Sequence, residues 1–280
     1  MKKVMIWIAL GMIILGMALF AGLCFAVDFD FMRFDTMKYV TNAYEITEDF
    51  DSVNLDSITA DVEFLLSEDG RCRVECFERE KLIHDVKVLD GTLTIQAVDS
   101  RNWIDHITVF NFRTPKITVY LPAGEYHMLK VKNTTGDLKL SGAWNVEMLS
   151  LKSTTGDISL NQLTVRGQAN VEVTTGSICM NSCSAGSLSL DCSSGDVTLK
   201  DVLVSGDLRA VSTTGDMMLE RCDADEIYLK TTTGSVTATL LTEKMIFAKT
   251  TTGTVDVPKL TTGGRCEIAT TTGDISVKIV

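Results

Sequence analysis

Aspartates recur at one position of a repeated motif, and they are the residues in this sequence best suited to metal chemistry. Each follows the glycine of a Ser/Thr-Ser/Thr-Gly triplet, as in STTGD at 153–157. Carboxylate oxygens are ligands that Ca²⁺ prefers, and two carboxylates on adjacent layers of a fold lie close enough to share a cation. The aspartates of this candidate calcium ladder are Asp137, Asp157, Asp196, Asp216 and Asp274.

Two observations favour a structural role for these aspartates instead. Ser177, Ser235 and Thr254 interrupt the ladder, and the calcium-binding pattern G-G-x-G-x-D of other repeat proteins is absent. An aspartate after a turn glycine can hydrogen-bond nearby backbone amides without any metal. We therefore predict no metal and no cofactor, with calcium at the ladder as the alternative.

The elements that position these residues form a repeat of about 20 residues. The motif glycines are separated by 19 or 20 residues, and the two residues before each of them are Ser or Thr. Glycine supplies the positive φ angle that a tight turn requires. We expect the eight glycines to mark the corners of stacked coils: Gly136, Gly156, Gly176, Gly195, Gly215, Gly234, Gly253 and Gly273.

Apolar residues alternate with mostly polar ones on both sides of each corner. The positions two and four residues after the glycine, and five and seven before it, are apolar in every copy, as is the position seven after it. This period of two predicts short strands with one buried face. A single coil cannot bury its own apolar face, but stacked coils can. We predict an all-β fold, a parallel β-solenoid of about eight coils over 129–280, with a second corner at Gly167, Gly186, Gly206 and Gly264.

The preceding region, 49–128, reads as less regular β structure that caps the coils. Its segment VNLDSITADVEF at 53–64 looks like a degenerate copy in which Ala60-Asp61 replaces Gly-Asp. The Asp90-Gly91 pair predicts a tight turn between two further strands.

The N-terminal segment, 1–27, contains 24 uncharged residues from Val4 to Val27 directly after two lysines. This run exceeds the ~20 residues that a transmembrane helix needs. Lysines before it and aspartates after it predict a single-pass membrane protein, with a juxtamembrane linker at 28–48 and the remaining domain outside the cytoplasm. A cleaved signal peptide and lipidation at Cys24 are the alternatives.

The eight cysteines are expected mainly to pack as small apolar side chains. A bridge between Cys72 and Cys76 is the exception that the spacing leaves open. The three histidines, His84, His106 and His127, are not paired at the spacing typical of zinc ligands. With no recognisable nucleophile or phosphate-binding motif either, we predict that the protein is not an enzyme.

Residues 50–280 resemble a bacterial family known as putative adhesins, a domain of β-strand repeats. The resemblance rests on VNLDSITADVEF, on LDGTLTIQ at 89–96, on ITVYLPAG at 117–124, and on the TTGD-like corners. It implies an envelope protein attached to a membrane segment, with no catalytic residues. In some members it also implies a link to envelope-stress responses.

These observations lead to two hypotheses about function. The first is a membrane-anchored, non-catalytic envelope protein whose solenoid binds a protein or cell-surface partner; the second is a sensory or regulatory module acting through a membrane partner. The net charge of −11 argues against nucleic acid as a partner. Val280 ends the last coil without a polar cap, so end-to-end self-association through the C-terminal edge is a further expectation.

Overall fold

The computed structural model describes residues 2–26, 38–102 and 113–280. These residues belong to two compact units, one comprising 1–38 and 101–114, the other 39–100 and 115–280. Residues 28–37 of the predicted linker and His106 lie outside the described residues.

In the described part of the smaller unit the chain forms one helix, α1, from Lys2 to Ala26. Its side chains from Met5 to Gly22 are apolar and, where described, exposed, and the helix is long enough to cross a membrane. The predicted N-terminal apolar helix is therefore confirmed. Its insertion in a membrane, as opposed to its removal as a signal sequence, stays a prediction.

The larger unit is a single sheet, with 24 strands among the described residues. Strand β1 (Tyr39–Ile46) lies within 28–48, the segment predicted as a linker. The irregular region supplies β2 (Ser52–Thr59), β3 (Asp61–Leu66), β4 (Cys72–Arg79), β5 (Leu82–Leu89), β6 (Thr92–Asp99) and β7 (Lys116–Leu121). The first coils supply β8 (Glu125–Thr135), β9 (Leu138–Ser141), β10 (Asn145–Thr155), β11 (Ile158–Asn161), β12 (Thr164–Thr175), β13 (Ile178–Asn181), β14 (Ser184–Ser194) and β15 (Val197–Lys200). The later coils supply β16 (Leu203–Val204), β17 (Asp207–Thr214), β18 (Met217–Cys222), β19 (Glu226–Lys230), β20 (Val236–Leu240), β21 (Lys244–Lys249), β22 (Val255–Asp256), β23 (Gly264–Ala269) and β24 (Ile275–Ile279).

Equivalent strands of neighbouring coils pair in parallel, one repeat apart. Leu151 of β10 pairs with Val171 of β12, and Ile158 of β11 pairs with Ile178 of β13. The register keeps the apolar positions aligned from coil to coil, because a shift by one residue would turn every side chain to the other face. The predicted fold class, a parallel β-solenoid preceded by a less regular β region, is confirmed.

The second corner lies elsewhere than predicted. After some of the short strands the chain turns at a non-glycine residue with positive φ, such as Gln162 (φ 59°) after β11 and Ser182 (φ 52°) after β13. Gly167 and Gly186 instead lie inside β12 and β14, where the strand register shifts between Val165 and Gln168. For these two glycines the prediction was wrong, because glycine marks a bulge there and not a turn. Gly206 lies in a bend between β16 and β17, and Gly264 is the first residue of β23.

The coils do not stack in sequence order at either end of the solenoid. At the C-terminal end, β23 lies between β19 and β21, and β24 lies between β20 and β22. The coil of Gly273 is therefore inserted between those of Gly234 and Gly253. At the other end, β2 and β3 lie between the first regular coil and the pair formed by β6 and β7.

The two ends are finished differently. Beyond β6 and β7 the chain adds antiparallel strands: β5 pairs with β6, β4 with β7, and β1 with β4. At the C-terminal end, β21 and β22 form the outermost layer, and each pairs on one side only among the described strands. The predicted edge thus exists, but residues 241–263 form it, and the C-terminal residues lie one layer further in.

A continuous apolar core runs through the coils. The positions two residues after the motif glycine, for example Ile178 and Val197, are completely buried in most copies. The column seven residues after the glycine is less uniform, because Ala143 is exposed and Trp144 is buried in its place. Cys183, Cys222 and Cys266 are buried in this core, as predicted.

Candidate functional site

The motif glycines stack directly on one another. Gly176 has φ +135°, and a Cβ atom on it would lie 2.2 Å from the carbonyl oxygen of Gly156. A side chain at this corner would therefore both strain the backbone and overlap the neighbouring coil. The glycines permit the close approach of layers at one edge of the stack.

The predicted calcium ladder is a ladder of hydrogen bonds between coils. The Asp157 carboxylate accepts a hydrogen bond from the backbone N–H of Ser177 (2.8 Å), and Asp137 accepts one from the N–H of Asp157 (3.0 Å). The ladder is not interrupted at the serines, because the Ser177 hydroxyl accepts the N–H of Asp196 at 3.3 Å. Turn stabilisation thus accounts for the aspartates and for their replacements. Calcium binding there stays an untested alternative.

A second ladder inside the corner was not predicted. In several copies the side chain three residues before the glycine hydrogen-bonds the glycine carbonyl of the neighbouring coil, as Thr231 does to Gly215 (3.1 Å) and Thr270 to Gly234 (2.9 Å). In other copies this position makes no such bond: it is occupied by Val173, or by Ser153, whose hydroxyl is buried without a partner among the described residues. The Ser and Thr residues directly before the glycine, such as Thr154 and Thr155, are exposed on the rim. The sequence pattern does not distinguish the buried position three residues before the glycine from the exposed positions directly before it, because Ser and Thr occur at both.

The outermost coil exposes apolar side chains that the repeat normally buries. Val255 is 44% exposed, whereas the equivalent Val197 and Val236 are completely buried. Leu241, at another position that the repeat buries, is 39% exposed. Met245 and Phe247 lie on the outward face of β21, where the other coils carry mainly polar residues, and are 37% and 55% exposed. These four residues, Leu241, Met245, Phe247 and Val255, define what we call the outer-coil surface.

The outermost coil is held to the solenoid by an ion pair as well as by strand pairing. Lys244 Nζ lies 2.9 Å from Asp223 Oδ1, and the lysine is almost fully buried. Burial alone would raise the pKa of Asp223, but hydrogen bonds from Lys244, Thr242 and the backbone N–H of Ala224, together with the positive charge of Lys244, hold the pKa below its ordinary value. Lys249 and Pro258 flank the exposed edge, in keeping with the charges and prolines that limit uncontrolled edge pairing.

The bridge between Cys72 and Cys76 that the sequence left open is not present. Cys72 and Cys76 are free and buried on the same strand, four residues apart, which places their Cα atoms about 13 Å apart, too far for a bridge. Burial raises the pKa of each thiol to about 12.

His84 lies beside two other potential metal ligands. Cys76, Glu78 and His84 form a buried cluster where β4 meets β5. Sequence reasoning missed this cluster because a hairpin turn separates its members.

These features define a parallel β-solenoid repeat protein with an open end. The chain belongs to the family described as Toastrack DUF4097, whose profile matches residues 50–280. The resemblance to putative adhesins drawn from the sequence is confirmed at the level of family and fold. The sequence matches none of the curated proteins.

Several solved structures are similar to this chain, among them two putative adhesins. A putative adhesin from Bacteroides fragilis NCTC 9343 is 18% identical, with a TM-score of 0.54 over 87% of this chain and 97% of that one. A putative adhesin from Parabacteroides distasonis ATCC 8503 is 14% identical, with a TM-score of 0.40 over 88% of this chain and 98% of that one. The likeness to the first structure concerns the fold alone, since one fold hosts many functions.

Proposed function

We propose that this protein is a non-catalytic, adhesin-like binding protein of the bacterial envelope, anchored by α1 with its solenoid outside the cytoplasm. The outer-coil surface is the observation that supports it most directly. Apolar core positions that are exposed at one end, beside an unpaired strand edge, can bind an extended segment of a protein or surface component by adding a strand.

The experiment compares binding of the full-length chain in nanodiscs to cell-wall material and to host-cell surfaces. The variant Phe247→Asp/Val255→Asp places charge on the outer-coil surface, and we expect it to weaken binding at least tenfold. Met218→Asp is the matched control, because Met218 is 52% exposed on a regular coil away from the open end. Equal binding by both variants, or no binding by the wild-type chain, would contradict the proposal.

The partner that binds the outer-coil surface could also be a second copy of this chain, in line with the end-to-end self-association expected from the sequence. The edges of β21 and β22, which pair on one side only among the described strands, permit it. Light scattering on the full-length chain in detergent and on its Phe247→Asp/Val255→Asp variant distinguishes a dimer from binding to a different partner.

The second proposal is a sensory module that acts through a membrane partner. It is supported by α1, whose apolar side chains from Met5 to Gly22 are exposed where described and whose Gly11 and Gly16 have open space around them. Small residues on a membrane helix allow close helix association. Co-purification of a membrane protein that is lost when α1 is exchanged for an unrelated transmembrane helix supports this role. Unchanged co-purification contradicts it.

A further inference from the structure

A hairpin in the irregular region brings three metal-binding side chains together. Cys76 and Glu78 are two residues apart on β4, so they point to the same side of the strand. The turn between β4 and β5 then returns His84 to that side. One ligand atom of each residue, the thiol sulfur, a carboxylate oxygen and a ring nitrogen, lies within 4.8 Å of those of the other two.

All three side chains are buried, with 0% exposure for Cys76, 1% for Glu78 and 3% for His84. A buried carboxylate beside a buried imidazole is costly unless both are well partnered. Glu78 Oε2 lies 2.7 Å from His84 Nδ1 and also accepts the backbone N–H of His84 at 2.8 Å. The cluster is therefore a preformed polar site inside an apolar region.

Two neighbouring side chains contact the outer atoms of Glu78 and His84 and restrict their orientation. Asn42 Nδ2 donates to Glu78 Oε1 at 2.7 Å, and Ser57 Oγ lies 3.3 Å from His84 Nε2. These contacts leave Glu78 Oε2 and His84 Nδ1 directed at each other beside the Cys76 sulfur. Metal-binding histidines and carboxylates typically have such a second hydrogen-bond partner, which fixes the orientation of the ring and of the carboxylate.

We propose that Cys76, Glu78 and His84 bind one Zn²⁺ ion, which ties β4 to β5 at the capped end of the solenoid. Thiolate, carboxylate and neutral imidazole suit zinc, and three protein ligands leave one tetrahedral position for water. Binding forms bonds from the metal to sulfur, oxygen and nitrogen. The thiol proton is released to solvent, and the hydrogen between Glu78 Oε2 and His84 Nδ1 is displaced to His84 Nε2 or to solvent.

The charges balance on binding. Two negative ligands and Zn²⁺ sum to zero, so the ion introduces no net charge into the buried region. Zinc–ligand bonds of about 2.0–2.3 Å require the ligand atoms to be within about 4 Å of one another. Side-chain rotations that move the atoms by about 1 Å complete the site. The competing explanation is a metal-free hydrogen-bonded pair of Glu78 and His84, and the following experiment separates the two.

The experiment uses the tag-free full-length chain in detergent, first treated with chelator and then dialysed with Zn²⁺ or Co²⁺. We expect one zinc per chain by elemental analysis, a higher Tm with zinc, and a thiolate-to-cobalt absorption band in the near ultraviolet. In Cys76→Ala the band and the bound zinc are lost. Cys72→Ala is the matched control, because Cys72 is buried on the same strand outside the cluster, and it keeps both.

Glu78→Gln serves as a second test if Cys76→Ala does not fold. The amide keeps the size of the side chain but weakens metal binding, so we expect zinc affinity to fall at least tenfold while the far-ultraviolet circular dichroism is unchanged. A folded wild-type chain with far less than one zinc and no cobalt band would overturn the proposal. Equal zinc content in Cys76→Ala and Cys72→Ala would do so as well.

Discussion

Two valines that occupy the same position of the repeat show how an interior coil differs from the outermost one. Val197 and Val255 both stand two residues after a motif glycine, yet Val197 is completely buried and Val255 is 44% exposed. The local sequence around them is alike, and only the presence of a covering coil differs. Burial in a solenoid thus depends on the next layer, which is why terminal repeats behave unlike internal ones.

The largest expected loss of stability comes from substituting a corner glycine, as compared with a glycine in an ordinary turn. We expect Gly176→Ala to lower the free energy of unfolding by about 3 kcal/mol or more, because the new Cβ combines positive-φ strain with overlap of the Gly156 carbonyl. Gly70→Ala is the control, since Gly70 also has positive φ (71°) but a Cβ atom added to it would meet no atom within 4 Å, and about 1 kcal/mol is expected. Chemical denaturation followed by circular dichroism measures both, and equal losses would show that crowding at the corner is unimportant.

The next prediction tests the two valines directly. We expect Val197→Ala to cost about 2 kcal/mol, through lost burial and a cavity between packed coils. Val255→Ala should cost less than about 0.5 kcal/mol, because the removed methyl groups are largely in water already. If Val255→Ala were as costly as Val197→Ala in the isolated chain, the outermost coil would have to be covered in solution, most simply by a second copy.

A smaller effect concerns acid stability at the outermost corner. The Asp274 carboxylate accepts hydrogen bonds from the backbone N–H (2.7 Å) and hydroxyl (2.8 Å) of Thr254, which lower its pKa below the ordinary 3.8. A lowered pKa in the folded state gives stability that is present above about pH 4 and is lost as pH falls through the folded-state value. We expect Asp274→Asn to flatten the Tm profile between about pH 4 and pH 2. A profile as steep as that of the wild-type chain would contradict this origin.

The smallest expected effect is that of calcium on the aspartate ladder. Each ladder carboxylate, such as that of Asp157, already accepts a backbone hydrogen bond from the neighbouring coil. We expect the Tm to be the same with excess Ca²⁺ as with chelator. A rise of several degrees that is lost in Asp137→Asn/Asp157→Asn would establish a site, because a ligand that binds only the folded state stabilises it.

Much of the fold can be predicted from the sequence, because the same pattern of glycine and apolar residues occurs in eight copies. Eight copies of the glycine corner with aligned apolar positions predict stacked parallel strands, and even the degenerate Ala60-Asp61 corner takes its expected place, where Asp61 accepts the N–H of Asp137 at 3.0 Å. Glycine proved ambiguous, since Gly136 marks a corner while Gly167 lies in a bulged strand. Both roles use the same property, a missing side chain beside a neighbouring backbone.

The sequence by itself determined the repeat length, the strand faces and the parallel pairing, because these depend on local periodicity and on burying an apolar face. Only the tertiary structure decided which coil lies outermost, since the coils of Gly253 and Gly273 carry similar patterns and either satisfies the same hydrogen bonds. It also decided the meeting of Cys76, Glu78 and His84, because a hairpin brings together side chains whose separation along the chain carries no period. Contacts within a repeat are encoded locally, whereas contacts between non-equivalent strands depend on how the whole sheet is assembled.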